Sequence, residues 1–249
     1  MIRYFEINAA GNNIGCKLYY NPEIKRVVVF GHGFAGHKDN GAAEKFANTL
    51  LAKYKDVALM IFNWPCHGDD VKKKIVLEDC SIYLMAVTDY IKTQLHVESI
   101  YAYATSFGGY LFLKYISDYG NPFKKTALRC PAVNMYDVLT KNIMKPDEYE
   151  KIQKGKPALV GFDRKIQIDR QFLSDLQEAD IQSMSFLAFA DDLLIIHGTE
   201  DEVVPFEASR RFAENNVIEF VPVEGADHRF VDSRKMDAAT KAVLNFFEL

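Results

Sequence analysis

Short, uninterrupted apolar runs recur along the chain at Val27–Phe30, Ala58–Phe62, Ile100–Ala104 and Leu193–Ile196. Continuous apolarity, as opposed to strict alternation, marks strands covered on both faces, as in a parallel sheet flanked by helices. The gaps between them carry a different period. Phe46, Ala47, Leu50 and Leu51 repeat at helical spacing in one gap, and Leu84, Val87, Ile91 and Leu95 do so in the next. Alternating strand and helix forces right-handed crossovers and predicts an α/β fold with a mostly parallel, twisted sheet flanked by helices. Residues 1–20 differ. Two strand-like runs on either side of Gly11-Asn12-Asn13 predict an antiparallel hairpin at the sheet edge.

The alternation breaks after Ala127–Cys130. From Asn134 to Ser185 the chain is charged and irregular, with Met135, Tyr136, Met144, Tyr149, Phe162 and Phe172 scattered through it. This stretch predicts an insertion, residues 134–185, within a core of 1–133 and 186–249. Its charges nearly balance, so it has no field to steer a charged partner, but its aromatics could close over an apolar ligand. Most of them are expected simply to pack the insert onto the sheet. The alternation then resumes with a strand at 193–196, a helix from Pro205, a strand at 218–223 and a last helix bearing Met236, Ala239, Val243, Phe246 and Phe247 on one face.

The chain has 249 residues, 49% hydrophobic and 26% charged, ordinary values for a folded domain. A net charge of −4 argues against general nucleic-acid binding, which calls for a basic surface. No basic tract suits an anionic membrane surface. The longest charge-free stretch, Ser99 to Leu113, is too short and polar to span a bilayer. The start of the chain lacks the apolar block of a secretion signal, and Cys16, Cys66, Cys80 and Cys130 form no CxxC pair. Free thiols and a cytoplasmic setting are expected.

Four segments carry candidate chemistry, each directly after an apolar run. Ala104-Thr105-Ser106-Phe107-Gly108-Gly109 joins a strand to a helix. A serine on so tight a turn needs small neighbours two residues to either side, because the backbone crosses itself there, and Ala104 and Gly108 meet that need. A serine hydroxyl needs a base to take its proton, and His228 in Gly225-Ala226-Asp227-His228 is the best placed of six histidines. An acid should orient that imidazole; Asp201 follows the preceding strand. Its neighbours Glu200 and Glu202 are expected to be bystanders at the next helix N-terminus. In Phe30-Gly31-His32-Gly33-Phe34-Ala35-Gly36 the glycines let an amide face a reaction centre, so the backbone N–H groups of Phe34 and Phe107 are the candidate oxyanion donors. His32 is expected to pack this loop. His37, His67 and His96 have no partner that the sequence names, and no HExxH spacing suggests a metal.

The strand-HG-loop, the serine elbow, and the chain order Ser106, Asp201, His228 resemble the α/β-hydrolase superfamily over nearly the whole length. Ala104 stands where the elbow usually has glycine, a swap that members of the superfamily tolerate. Phe34 after His-Gly, the Asn63-Trp64-Pro65-Cys66-His67-Gly68-Asp69 loop and the fifty-residue insert are further similar to bacterial cinnamoyl (feruloyl) esterases. Ser106-Phe107-Gly108-Gly109-Tyr110 also resembles the elbow of prolyl-oligopeptidase-type peptidases. The resemblance implies an α/β-hydrolase fold with an inserted lid, and a carboxylesterase of small, cinnamoyl-type esters that works through an acyl-serine without a cofactor. It implies that the insert grips the substrate's aromatic ring, with Tyr136, Asp137 and Tyr149 as candidates. A peptidase or thioesterase would use the same residues, and a non-catalytic homologue would normally have lost one of the three. The expected partner is a small-molecule ester, with neither nucleic acid nor membrane, the protein acting as monomer or homodimer.

Overall fold

The computed structural model describes residues 1–161 and 164–249. Phe162, one of the aromatics expected in the insert, lies outside the described residues. Strands β1 (Ile2–Ala9) and β2 (Asn12–Tyr20) form the expected antiparallel hairpin around a two-residue turn, in which Ala10 and Gly11 both take positive φ. Such a turn follows the strands' own right-handed twist. The strands β3 (Arg26–Gly31), β4 (Val57–Phe62), β5 (Ser99–Thr105), β6 (Thr126–Arg129), β9 (Leu193–Gly198) and β10 (Glu219–Val223) pair in parallel. The eight-stranded sheet runs β1-β2-β4-β3-β5-β6-β9-β10, with the hairpin at one edge.

Helices cover both faces of the sheet. Helix α1 (Gly41–Lys53) starts where the Asn40 side chain accepts the N–H groups of Ala42 and Ala43 at 2.9 and 3.0 Å. It packs Ala43, Phe46, Ala47 and Leu50 on one face of the sheet, together with Ala239, Val243 and Phe247 of α8 (Ser233–Phe247). Helices α2 (Leu77–Gln94), α3 (Phe107–Tyr119) and α7 (Phe206–Asn216) cover the other face. The strand residues divide between the layers with period two: Val27 and Val29 enter one core, Val28 and Phe30 the other, and Ile195 and Ile196 separate likewise. Both faces being dry, the runs are apolar at every position.

Between β6 and β9 the chain leaves the sheet. It forms α4 (Met135–Asp137), continued by a wider turn over Val138–Ile143, then α5 (Pro146–Gln153), an antiparallel pair β7 (Ala158–Val160) and β8 (Ile166–Ile168), and α6 (Arg170–Glu178). None of these strands joins the main sheet. The insert has a core of its own, continuous with the α2–α3 layer, in which Phe172, Leu173 and Leu176 of α6 are buried. No helix among the described residues is long and apolar enough to cross a membrane.

Phe112 ties the fold to its functional edge. Its ring is fully buried, meets Trp64 edge-on at 6.1 Å and Phe123 at 5.3 Å, and lies directly beneath Gly31 at the end of β3. Truncation would open a cavity in the wall under that strand end. Phe112→Ala is expected to cost about 3–5 kcal/mol, read as a fall in the urea midpoint at unchanged slope.

Candidate active site

Ser106 occupies the turn between β5 and α3 with φ 53° and ψ −119°, a conformation L-residues rarely adopt. Its surroundings hold it there. The Ser106 N–H donates to the Arg129 carbonyl at 3.0 Å, and its own carbonyl accepts from Ala132 and Tyr110, both at 3.2 Å. Gly108 brings α3 hard against the end of β3: a Cβ at this position would lie 2.5 Å from the Gly31 oxygen and 2.7 Å from that of His32. Gly33 passes so near that a Cβ there would sit 3.3 Å from the Ser106 Cβ. The backbone at Gly33 therefore runs alongside the Ser106 hydroxyl. Phe107 is the first residue of α3, where the N–H has no partner within the helix. The rings of Phe34 and Phe107 meet edge to face at 5.7 Å.

Histidine and tryptophan set this loop. His32 is buried; its Nδ1 faces the Gly33 carbonyl at 2.9 Å, its Nε2 faces the Trp64 N–H at 3.5 Å, and the Trp64 indole donates to the His32 carbonyl at 3.0 Å. That arrangement calls for the neutral ring with its proton on Nδ1. Burial drives the His32 pKa well below its ordinary value, the nearby His67 adds to this, and the Gly33 carbonyl opposes it. His32 is thus a strut of the loop, as the sequence suggested. The Asn63–Asp69 segment braces the other side: the Asn63 Oδ1 accepts the Lys38 N–H at 2.7 Å and the Lys38 ammonium meets Asp69 at 2.6 Å.

The imidazole of His228 directs Nδ1 at Asp201 Oδ2, 2.7 Å away, leaving Nε2 free of Asp201. Asp201 is entirely enclosed. Its Oδ1 accepts the N–H groups of Val203 and Val204 at 2.9 and 2.7 Å, while Oδ2 also lies 3.2 Å from Nε2 of His197, an imidazole sequence reasoning did not single out. Burial alone would hinder ionisation, but the two histidines and the Val204 N–H outweigh it and hold the carboxyl far below the usual carboxylate range. His197 Nε2 faces the Val204 carbonyl as well, at 3.1 Å, so it carries the proton. The signal for it was the spacing His197–Asp201 at the end of a strand. Cys130, His197 and Asp201 bring ligand atoms within 4.8 Å of one another, a set able to hold a metal; here the carboxylate already serves two imidazoles and two amides.

The loops that carry Asp201 and His228 are bound together. The Gly225 N–H donates to the Thr199 hydroxyl at 2.7 Å, the Glu200 N–H to the Ala226 carbonyl at 3.0 Å, and the His228 N–H to Glu202 at 3.3 Å. Glu202, expected to favour a helix N-terminus, instead holds the His228 backbone, because α7 begins only at Phe206 with Glu207 in its first turn. Ser106, His228, Phe34 and Thr105 line one cavity of about 600 Å³, to which the insert contributes Ile143 and Arg164. Among the described residues the Ser106 hydroxyl makes no hydrogen bond; such contacts are often long before substrate closes the site. Tyr136, Asp137 and Tyr149 do not line this cavity. The Tyr136 and Tyr149 hydroxyls meet each other at 3.4 Å, Asp137 pairs with Lys141 at 2.9 Å, and Tyr136 and Asp137 border a separate cavity of about 250 Å³. The insert residues that reach Ser106's cavity, Ile143 and Arg164, carry no aromatic signal that the sequence would have singled out.

A family model described as the prolyl oligopeptidase family matches residues 62–249. No curated protein matches the chain. Among solved structures, Est1E from Butyrivibrio proteoclasticus with ferulic acid bound is similar at 22% identity, covering 98% of this chain and 100% of its own, with a TM-score of 0.76. A putative hydrolase from Agrobacterium vitis is similar at 15% identity, 99% and 98% coverage and a TM-score of 0.78. The mouse α/β hydrolase domain-containing protein 10 is similar at 14% identity, 99% and 98% coverage and a TM-score of 0.70. At these identities the likeness is one of fold: the α/β-hydrolase fold.

His67 makes a testable contribution to stability. Its Nδ1 faces the Pro65 carbonyl at 2.8 Å while Nε2 is buried without a partner among the described residues, its ring 5.7 Å from Phe34 and 6.1 Å from Phe107. Burial pushes its pKa down from 6.5 to about 4, against the Pro65 carbonyl and with the Arg164 charge reinforcing the shift. Between those two values the unfolded chain binds a proton that the folded one refuses, so stability falls as pH drops from about 6.5 to about 4. His67→Phe should remove up to about 3 kcal/mol of that decline, leaving the slope due to His32; an unchanged pH profile in urea unfolding would refute this.

Proposed function

Because the chain belongs to the prolyl oligopeptidase family, we propose that it is a serine hydrolase in which Ser106 is the nucleophile, His228 the general base and Asp201 the acid that orients it. The observation that carries this reading is the enclosed, ionised Asp201 at 2.7 Å from His228 Nδ1, with His228 and Ser106 facing the same cavity. His228 Nε2 takes the Ser106 proton as the oxygen bonds to the acyl carbon. The tetrahedral oxyanion is met by the N–H groups of Phe34 and Phe107, each such donor worth on the order of 10²–10³ in rate. Collapse expels the alcohol, which leaves with the proton from His228, and water repeats the sequence in reverse on the acyl-serine. No cofactor enters these steps.

Small carboxylic esters are the proposed substrates. Support comes from the full-length fold likeness to Est1E, a protein solved with ferulic acid in place. Residues 134–185 act in this reading as a lid on a core of 1–133 and 186–249, with Ile143 and Arg164 as its reach into the cavity. A second reading, hydrolysis of aminoacyl amides, has the family's name behind it and employs the same three residues.

A fluorophosphonate probe is expected to label the wild type and not Ser106→Ala, and that variant should lose on the order of 10⁶ in kcat on an aryl ester. Ester hydrolysis at near wild-type rate in Ser106→Ala would end the assignment. Asp201→Asn should lower kcat by about 10⁴ by supporting the wrong imidazole tautomer, and Asp192→Asn should not. Equal losses in the two variants would mean that another acid does the work. Rates on matched aryl esters, thioesters and aminoacyl anilides separate the two readings.

A further inference from the structure

Around Ser106 the cavity is lined by Arg129, Arg164, Arg229 and His37, and among the described residues no carboxylate lines it, although the protein as a whole carries a net charge of −4. We propose that this cationic wall is a subsite for a substrate that carries its own anionic group, a carboxylate or a phosphate, on the ester that Ser106 cleaves. The proposal rests on the hydrolase reading and specifies its substrate class.

Arg129 carries the argument. It ends β6 opposite Thr105, and its carbonyl accepts the Ser106 N–H at 3.0 Å, so its side chain starts one strand away from the nucleophile. The residue is only 7% exposed, yet among the described residues it forms no ion pair. Its Nη1 meets the Met236 sulfur at 3.0 Å, its guanidinium lies 5.0 Å from the Phe230 ring, and its Nε is buried without a partner. A thioether is a weak acceptor and a ring face is a weak anion substitute. Buried arginines otherwise sit against carboxylates, since an uncompensated charge out of water is costly. Arg129 is among the residues that line the cavity, so an anionic ligand held there would supply the countercharge. A planar guanidinium also matches the two oxygens of a carboxylate or phosphate with two parallel N–H donors.

The rest of the wall agrees in sign. Arg229 is exposed at the rim, one residue beyond His228, where it meets an incoming anion first. Arg164 reaches in from the turn between β7 and β8, close enough to His67 and His32 for its charge to depress both imidazoles. The start of α1, represented in the lining by Asn40 and Ala42, adds the positive end of a helix of 13 residues.

Three aryl esters of matched length test this: the neutral pentanoate, the glutarate monoester with a terminal carboxylate, and the 4-phosphonobutanoate. In the wild type kcat/KM for one or both anionic esters should exceed that for the pentanoate on the order of tenfold or more, through KM, and the excess should shrink as salt rises. Which anion leads distinguishes carboxylate from phosphate chemistry. Arg129→Gln and Arg229→Gln should each lower the anionic-to-neutral ratio, with Arg129→Lys retaining part of it; Arg229 lies at the surface, so its variant carries the test even if Arg129→Gln fails to fold. A wild-type ratio near one, or a ratio unmoved by both substitutions, overturns the subsite while leaving the hydrolase intact. Calorimetry with Ser106→Ala reads the same subsite without turnover: tighter binding of an anionic ester than of the pentanoate supports it, and equal binding overturns it. Absence of both ester hydrolysis and fluorophosphonate labelling in the wild type would instead count against the hydrolase reading.

Discussion

The crossing of α3 over the end of β3 constrains everything near Ser106. With a Cβ on residue 108, α3 would press into the carbonyls of Gly31 and His32, and the helix would have to lift off the sheet. Only with the two backbones this close does the β5–α3 turn force Ser106 to φ 53° and raise its hydroxyl over the strand ends. The same closeness brings Gly33 beside the Ser106 Cβ. One steric fact thus sets the serine conformation and the course of the Gly31–Gly36 loop together. The strain at Ser106 is held by the hydrogen bonds to Arg129, Ala132 and Tyr110, with Pro131 packed against Gly109 in the first turn of α3.

The acid is held by electrostatics in place of sterics. An enclosed carboxylate survives ionised only if donors surround it, and Asp201 has two amides and two imidazoles. His197 and His228 therefore differ in kind. His197 is fully buried and ties Asp201 to its own strand, whereas His228 is 15% exposed and stands between the acid and the cavity. Thr199, Glu200 and Glu202 all bond to the loop of Gly225–His228, so the Asp201 and His228 loops are tied together. His32 and His67 show the opposite solution: with carbonyls and, among the described residues, no carboxylate as hydrogen-bond partners, burial disfavours the charged form of both rings, and they serve as polar struts.

Much of this arrangement is legible in the sequence. Strands buried on both faces print as unbroken apolar runs, and the loops at their carboxyl ends are where open α/β sheets gather ligands, so position, together with the small residues around Ser106 and the chain order, pointed to Ser106, Asp201, His228 and the amide of Phe34. The insert could not be drawn. Its order comes from local devices that periodicity ignores, such as Pro146 opening α5 with the Glu148 carboxylate back on the Lys145 N–H at 2.8 Å. Tyr136 and Tyr149 looked like ring-binding candidates because aromatic side chains advertise themselves by type; which cavity they face depends on the path of a segment whose path was not predictable. His197 was hidden for another reason. A histidine finishing an apolar strand reads as a polar stop, and its role appears only when the following loop folds Asp201 back beneath it.

Arg129 is the residue for which sequence logic and stability logic diverge most. As the last residue of a buried strand it would be more stable as an aliphatic side chain, since Met236 and Phe230 offer it apolar company and, among the described residues, it has no ion-pair partner. Its neighbours on the sheet show what the position favours: Ala127 and Leu128 of the same strand are completely buried. A charge maintained against that preference, one strand from a strained serine, is the pattern expected where a site accepts a cost in the empty protein that its ligand removes. On the proposed reading, the strain at Ser106 and the Arg129 charge, which has no ion-pair partner among the described residues, belong together: the first sets where an acyl carbon would come and the second draws the substrate's anionic group toward it.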